Sequence, residues 1–187
     1  KIEPPNGIKA DQRLRRYQQV IEKDIERCLG SYCFLWGQKQ ESTATWHGMF
    51  LSNGQPTEAV DVMHFCWSGE WPQSRAPSIR NILLENIGWR KDHILSPSSK
   101  ATLSIEFLKY NNKEVTVEYV LYPEAFSNKI GGDIQKSPDP INFEVVKQSE
   151  NELIFVTPKK KGAYRLFAFV KNKKGQSSVA NIPFLVE

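Results

Sequence analysis

Between residues 36 and 47 the chain places a flat aromatic, Trp36, ahead of a polar run: Gln38, Lys39, Gln40, Glu41, Thr43, Thr45, Trp46 and His47. Sugar hydroxyls require paired donors and acceptors, and the C–H face of a sugar ring packs on an indole. These residue types therefore suit carbohydrate recognition. Trp36, Gln38, Lys39, Glu41 and Trp46 are the candidate substrate-binding residues. Each also has a plain structural role open to it, the tryptophans as core and the charges as a solvated or mutually paired surface. Glu41 is the sole carboxylate of the run, whereas retaining glycoside hydrolysis needs two, roughly 5 Å apart across the scissile bond. No catalytic residue is assigned.

Other chemistry is sparse. The cysteines at 28, 33 and 66 are odd in number and show no repeated spacing. They read as small buried hydrophobes, with a Cys28–Cys33 or Cys33–Cys66 bridge as the alternative. His47, His64 and His93 lack ligand spacing to them, so no zinc site is expected, and His64 reads as a packed or surface residue. Gly131-Gly132-Asp133 with Asp139 lacks the oxygen cage that calcium needs. A Gly-rich phosphate loop, a nucleophile elbow and an HExxH helix are all missing, and no cofactor or metal is expected. The net charge of +4 is too mild for a nucleic-acid partner. Lys159 to Lys161 and the lysines at 171, 173 and 174 fall in turns and read as a solvated rim. No apolar run nears the roughly 18 residues of a membrane span. The opening residues show no signal-peptide pattern.

The elements that would position the polar run follow from periodicity. Leu14, Tyr17, Ile21, Ile25 and Cys28 recur at three- and four-residue steps, predicting an amphipathic helix over 11–29, capped by Asp11 and ended by Gly30. Tyr32 to Trp36 are five consecutive apolar residues, predicting a strand covered on both faces. Thr57 caps a second helix over 58–67, where Ala59, Val62, Met63, Cys66 and Trp67 form one stripe. Helix, strand and helix is an α/β order, and the polar run then sits on a strand-to-helix loop, where such folds bind ligands. That loop is long, about twenty residues, and Asn53-Gly54 after Met49-Phe50-Leu51 predicts that it turns back as a short hairpin. One strand cannot close a barrel or cover its own edges. Self-association, or packing on the rest of a longer chain, is expected.

The stretch from Leu29 through Glu41, then Thr45-Trp46-His47-Gly48-Met49-Phe50, then Thr57 through Met63 resembles the end of the barrel in bacterial glycoside hydrolases of the family 2 type, the β-galactosidase and β-glucuronidase group. The resemblance covers roughly residues 11–75. It implies that 11–29, 32–36 and 58–67 are the last helix, strand and helix of a (β/α)8 barrel. It also implies that Trp36 floors a sugar subsite. The family's two catalytic carboxylates belong to earlier strands and have no counterpart here.

From Ile79 onward the period becomes two. Strands are predicted over 79–87, 101–108, 114–122, 141–147, 152–157, 163–170 and 178–186, separated by turn signals such as Asn111-Asn112, Gly131-Gly132, Gly162 and Gly175. Seven short strands indicate an antiparallel sandwich. Gly162-Ala163-Tyr164-Arg165-Leu166-Phe167 and Asn181-Ile182-Pro183-Phe184 resemble immunoglobulin-like modules appended to secreted carbohydrate enzymes, though the immunoglobulin cysteine pair is missing. The expected fold class is thus an α/β barrel-end fragment over 1–75 plus an all-β immunoglobulin-like sandwich over 76–187. The expected function is the C-terminal portion of a glycoside-hydrolase-like, carbohydrate-active protein. It contributes a substrate-facing loop and an accessory sandwich without being catalytic itself. The alternative is a non-catalytic glycan- or protein-binding or structural module. Carbohydrate is the expected partner, and the resemblance implies a periplasmic or extracellular location.

Overall fold

The computed structural model describes residues 1–24, 26–108, 114–125 and 134–187. Strands β1 (Ile79–Leu84), β2 (Ile87–Gly88), β3 (Ile94–Leu95), β4 (Lys100–Phe107), β5 (Val115–Pro123), β6 (Val145–Gln148), β7 (Glu152–Val156), β8 (Gly162–Asn172) and β9 (Ser177–Val186) follow two helices. Alternation drives them. In β4, Ala101, Leu103 and Ile105 point inward and are buried, while their neighbours are not. The strands form two sheets, β2-β1-β4-β7-β6 and β3-β9-β8-β5. Setting aside the two-residue β2 and β3, this is the A-B-E-D against G-F-C order of a constant-type immunoglobulin sandwich. The core between the sheets includes Ile82, Leu84, Leu103, Phe155, Leu166 and Ile182. At the start of β8, the Tyr164 hydroxyl donates to the Lys160 carbonyl at 2.7 Å, the tyrosine corner of such sandwiches. Packing and this bond stand where immunoglobulin domains carry a disulfide, since all three cysteines are free.

The first part does not form the end of a barrel. Helix α1 runs over Asn6–Arg16 and widens into one π-helical turn over Tyr17–Ile21, so it begins before and stops short of the predicted 11–29. It lies along α2 (Glu58–Ser68), itself only 11 residues long. Past that partner the stripe has nothing to pack on, and short unsupported helix is unstable in water. Val20 and Leu29 are exposed accordingly. Asp11, expected as a cap, lies inside α1 and accepts from Arg80 at 2.5 Å. Residues 32–36 form turns and bends rather than a strand. A lone strand with no neighbour leaves its backbone groups without ladder partners, and the apolar run does not supply them. With strand 32–36 absent, the parallel βα unit that the barrel-end expectation required does not exist. Among the described residues, two helices beside nine strands make this a β-sandwich with a helical and loop cap.

Helix α2 matches its signals. The Thr57 hydroxyl accepts from Ala59 N–H, and Gly69, with φ of 78°, takes the left-handed conformation that closes the helix onto the Phe65 carbonyl. Residues 37–56 are held by short bridges, Glu41 with Thr43 and Phe50 with Pro56. The predicted turn at Asn53-Gly54 forms, with Gly54 N–H donating to Leu51 O at 2.9 Å.

Buried polar groups tie the cap to the sandwich. Arg80 of β1 donates to the Gly7 carbonyl at 2.6 Å and to the Glu58 carboxylate at 3.3 Å. Glu3 is buried and accepts from Lys9 at 2.6 Å, Thr43 at 2.5 Å and Asn181 of β9 at 2.7 Å. Asn181 in turn accepts from Arg165 of β8 at 2.6 Å, and Arg165 grips Glu124 with two donors at 2.8 and 2.6 Å. Gly7 marks the closest approach: a Cβ there would stand 2.6 Å from the Ile79 carbonyl oxygen. Leu51 packs against Phe167 and Val179 on the outer face of the second sheet.

Candidate functional site

One face of α1 builds the main concavity. Lys9, Arg13, Arg16 and Tyr17 are spaced i, i+4, i+7 and i+8, so they share a side of the helix. Opposite them run Tyr32, Cys33, Phe34, Trp46 and His47, and together they enclose a cleft of about 740 Å³. That volume lies within the range that takes a small molecule.

Charge is uneven in this cleft. Glu3 is its one acidic lining residue, and it is committed to Lys9 by an ion pair of 2.6 Å. Burial pushes the Glu3 carboxyl up, but Lys9, Thr43 and Asn181 together outweigh burial and hold it below the ordinary range. Arg13 and Arg16 have no acid among the lining residues to offset them. Arg13 donates to neutral acceptors, Cys33 Sγ at 2.8 Å and the His47 carbonyl at 3.5 Å. The aromatic walls and the two guanidinium groups make the cleft complementary to a flat, anionic group.

The five sequence-predicted site residues do not converge. Trp46 lines the cleft, with the Lys1 ammonium 5.8 Å from its ring centroid. Lys39 and Glu41 pair at 2.9 Å, and Glu41 meets His47 Nε2 at 3.3 Å. Lys39 first, then His47, hold the Glu41 carboxyl below its usual value. His47 also meets the Phe34 ring edge-on at 5.0 Å. Lys39 and Glu41 thus support the cleft from behind through His47. Gln38 donates to the Ala44 carbonyl at 3.0 Å and lines a separate depression of about 250 Å³ with Thr43, Tyr122 and Phe167. Trp36 is half exposed against Phe50 and Trp67, with centroids 5.3 and 5.7 Å away. It does not floor a subsite shared with Trp46.

Sequence reasoning missed Arg13 and Arg16, because a charged helical face reads as solvated surface, and Tyr17, because it fell in the apolar stripe and read as packing. The signal was present in their spacing with Lys9. It also missed Glu3, an isolated carboxylate among prolines. Cys33 is not poised as a nucleophile: burial raises its thiol pKa, and Arg13 opposes that only in part. Among the described residues no group of three or more His, Cys, Asp or Glu gathers as a metal site. The Gly131-Gly132-Asp133 segment lies outside the described residues, as does the Asn111-Asn112 turn. No described helix is long and apolar enough to cross a membrane.

No protein-family model matches the chain, and no curated protein matches it. Solved structures do. The methionine-rich copper resistance protein PcoC from Escherichia coli is similar over 60% of this chain and 99% of its own, at 14% identity and a TM-score of 0.35. The PmoD soluble domain from Methylocystis is similar over 59% and 92%, at 10% identity and a TM-score of 0.34. A DUF4784 family protein from Bacteroides caccae is similar over 58% of this chain and 24% of its own, with 12% identity and a TM-score of 0.31. These are distant likenesses, and no activity transfers from them. The barrel end that carried the glycoside-hydrolase resemblance is not formed. The expected glycoside-hydrolase function and the carbohydrate-active assignment fall with it.

Proposed function

We propose that the chain is a recognition module whose cleft receives an anionic small molecule with a flat apolar face. In this reading residues 1–75 form the receiving part and residues 76–187 the frame that holds it. The observation that carries it is the conjunction, in one cleft, of Tyr17, Tyr32, Phe34 and Trp46 with Arg13 and Arg16, and of no lining acid beyond the Glu3 already paired to Lys9. Stacking supplies contact area, and the guanidinium groups supply charge selection in a partly dry site. Trp46 is the sequence-predicted residue that touches the ligand, and Lys39 and Glu41 act through His47. A thermal-shift panel of aromatic carboxylates, aromatic phosphates, their neutral amides and neutral disaccharides tests it. The anionic ring compounds should stabilise the protein and their neutral amides should not. Stabilisation by the neutral disaccharides alone would contradict it.

A second reading rests on a different observation. Leu29 and Tyr32 are fully exposed, Phe34, Trp36 and Trp67 are each more than half exposed, and Trp36 packs on Trp67 at 5.7 Å; exposed apolar side chains of this size mark association sites. We propose that two copies associate through it. Light scattering should give a dimer that Trp36→Ser with Leu29→Ser converts to a monomer; a wild-type monomer at all concentrations would contradict this. The periplasmic or extracellular location is part of the proposal, and recovery in a cytoplasmic fraction would count against it.

A further inference from the structure

The floor of the cleft holds sulfur. Cys33 and Met63 both line it, and Met49 stands behind them. Cys33 Sγ and Met49 Sδ are 3.5 Å apart. Met49, Met63, Cys33 and Cys66 belong to one packed cluster with Tyr17 and Ala59. Apolar packing alone explains a buried methionine, but it does not require the Cys33 and Met49 sulfurs to touch, with Met63 packed in the same cluster, at the bottom of a solvent-open cleft.

We propose that Cys33, Met49 and Met63 bind one soft monovalent cation, Cu(I). A thiolate and two thioethers are a soft donor set, which selects Cu(I) over harder ions. The charge balance selects it too. On binding, the Cys33 S–H bond breaks, a sulfur–copper bond forms and the proton leaves to solvent. One thiolate and one monovalent cation leave the site neutral beside the Arg13 guanidinium, which stands 2.8 Å from Cys33 Sγ. A divalent ion would leave a positive charge against that arginine in a partly buried place. Arg13 is the cation facing the thiol, and Glu22 and Cys66 are the further titratable groups whose fields reach the cluster.

Cu(I) supplied as its bicinchoninate complex, with the intact chain under reductant, tests the site. One equivalent should be withdrawn. Cys33→Ser should abolish the transfer, and Met49→Leu and Met63→Leu, which keep side-chain volume, should each weaken it by about tenfold or more. Affinity should rise about tenfold per pH unit below the thiol pKa, because one proton is released. Cys28→Ser should change nothing. Arg16→Ala should also leave copper uptake unchanged, so failure here is distinguishable from failure of the anion reading. No withdrawal of copper, withdrawal insensitive to both methionine changes, or loss on Cys28→Ser would overturn the proposal.

Discussion

At Glu3 a carboxylate is taken out of water and still kept ionised, because Lys9, Thr43, Thr45 and Asn181 all donate to it. Removing its charge leaves the half-buried Lys9 ammonium with the Thr45 carbonyl but no carboxylate. Glu3→Gln should therefore cost about 3 kcal/mol in urea unfolding. Its depressed pKa means that this contribution is present above the ordinary carboxylate range and is lost as pH falls through the folded-state value. Asp61 has the opposite sign. Burial pushes its carboxyl from 3.8 up to about 6, against the Ala76 N–H at 2.7 Å and Arg75. The folded state then holds a proton that the unfolded chain has released, so stability due to Asp61 declines as pH rises from about 4 to 6. Asp61→Asn should flatten the pH dependence of the unfolding midpoint in that window; an unchanged slope would contradict the assignment. Neither environment was legible in the sequence. A lone acid shows its residue type but not the donors that close over it from elsewhere in the chain, such as Ala76 for Asp61 and Asn181, 178 residues away, for Glu3.

Elements were legible in proportion to how locally they are determined. Five of the seven main strands lie close to where alternation put them, because a pleated half-buried strand writes a period of two into its own residues; β1 stops at Leu84 inside the predicted 79–87, and β6, exposed throughout, starts only at Val145 within the predicted 141–147. Helix α2 was found through Thr57 and the stripe from Ala59 to Trp67, signals that lie within the helix itself. The predicted strand over 32–36 failed because a strand needs a neighbour, and five apolar residues say nothing about whether one exists. Helix α1 was misplaced for a related reason: its length is set by the extent of α2. Its position on the sandwich is set by Gly7. Alanine there would gain roughly 1 kcal/mol of helix propensity. Its Cβ would also sit 2.6 Å from the Ile79 carbonyl, and overpacking of that kind costs about 1–3 kcal/mol. Gly7→Ala should lower the unfolding midpoint, and an increase would show that α1 is free to shift. Tyr164→Phe removes the bond to Lys160 at the head of β8 and should cost about 1 kcal/mol.

Across the whole molecule, a sandwich built on a regular pattern supports an irregular cap that carries the chemistry. The cap is fastened through Arg80, Glu3, Asn181 and Arg165, so the walls of the cleft are referred to two strands of one sheet and one of the other. Candidate site residues chosen for their types along one loop therefore separated in space: Trp46 reached the cleft, while Trp36 and Gln38 went elsewhere. The residues that complete the cleft came from a helix whose charged face looked like ordinary surface. In the proposed function the cleft selects a flat anion through Arg16 and Trp46. Isothermal titration of the best-stabilising aromatic anion tests it most directly, against the wild-type chain, Arg16→Glu and Trp46→Ala. Saturable one-to-one binding that falls by about tenfold or more in both variants, each still folded, is the predicted result. Equal binding by all three proteins would contradict it.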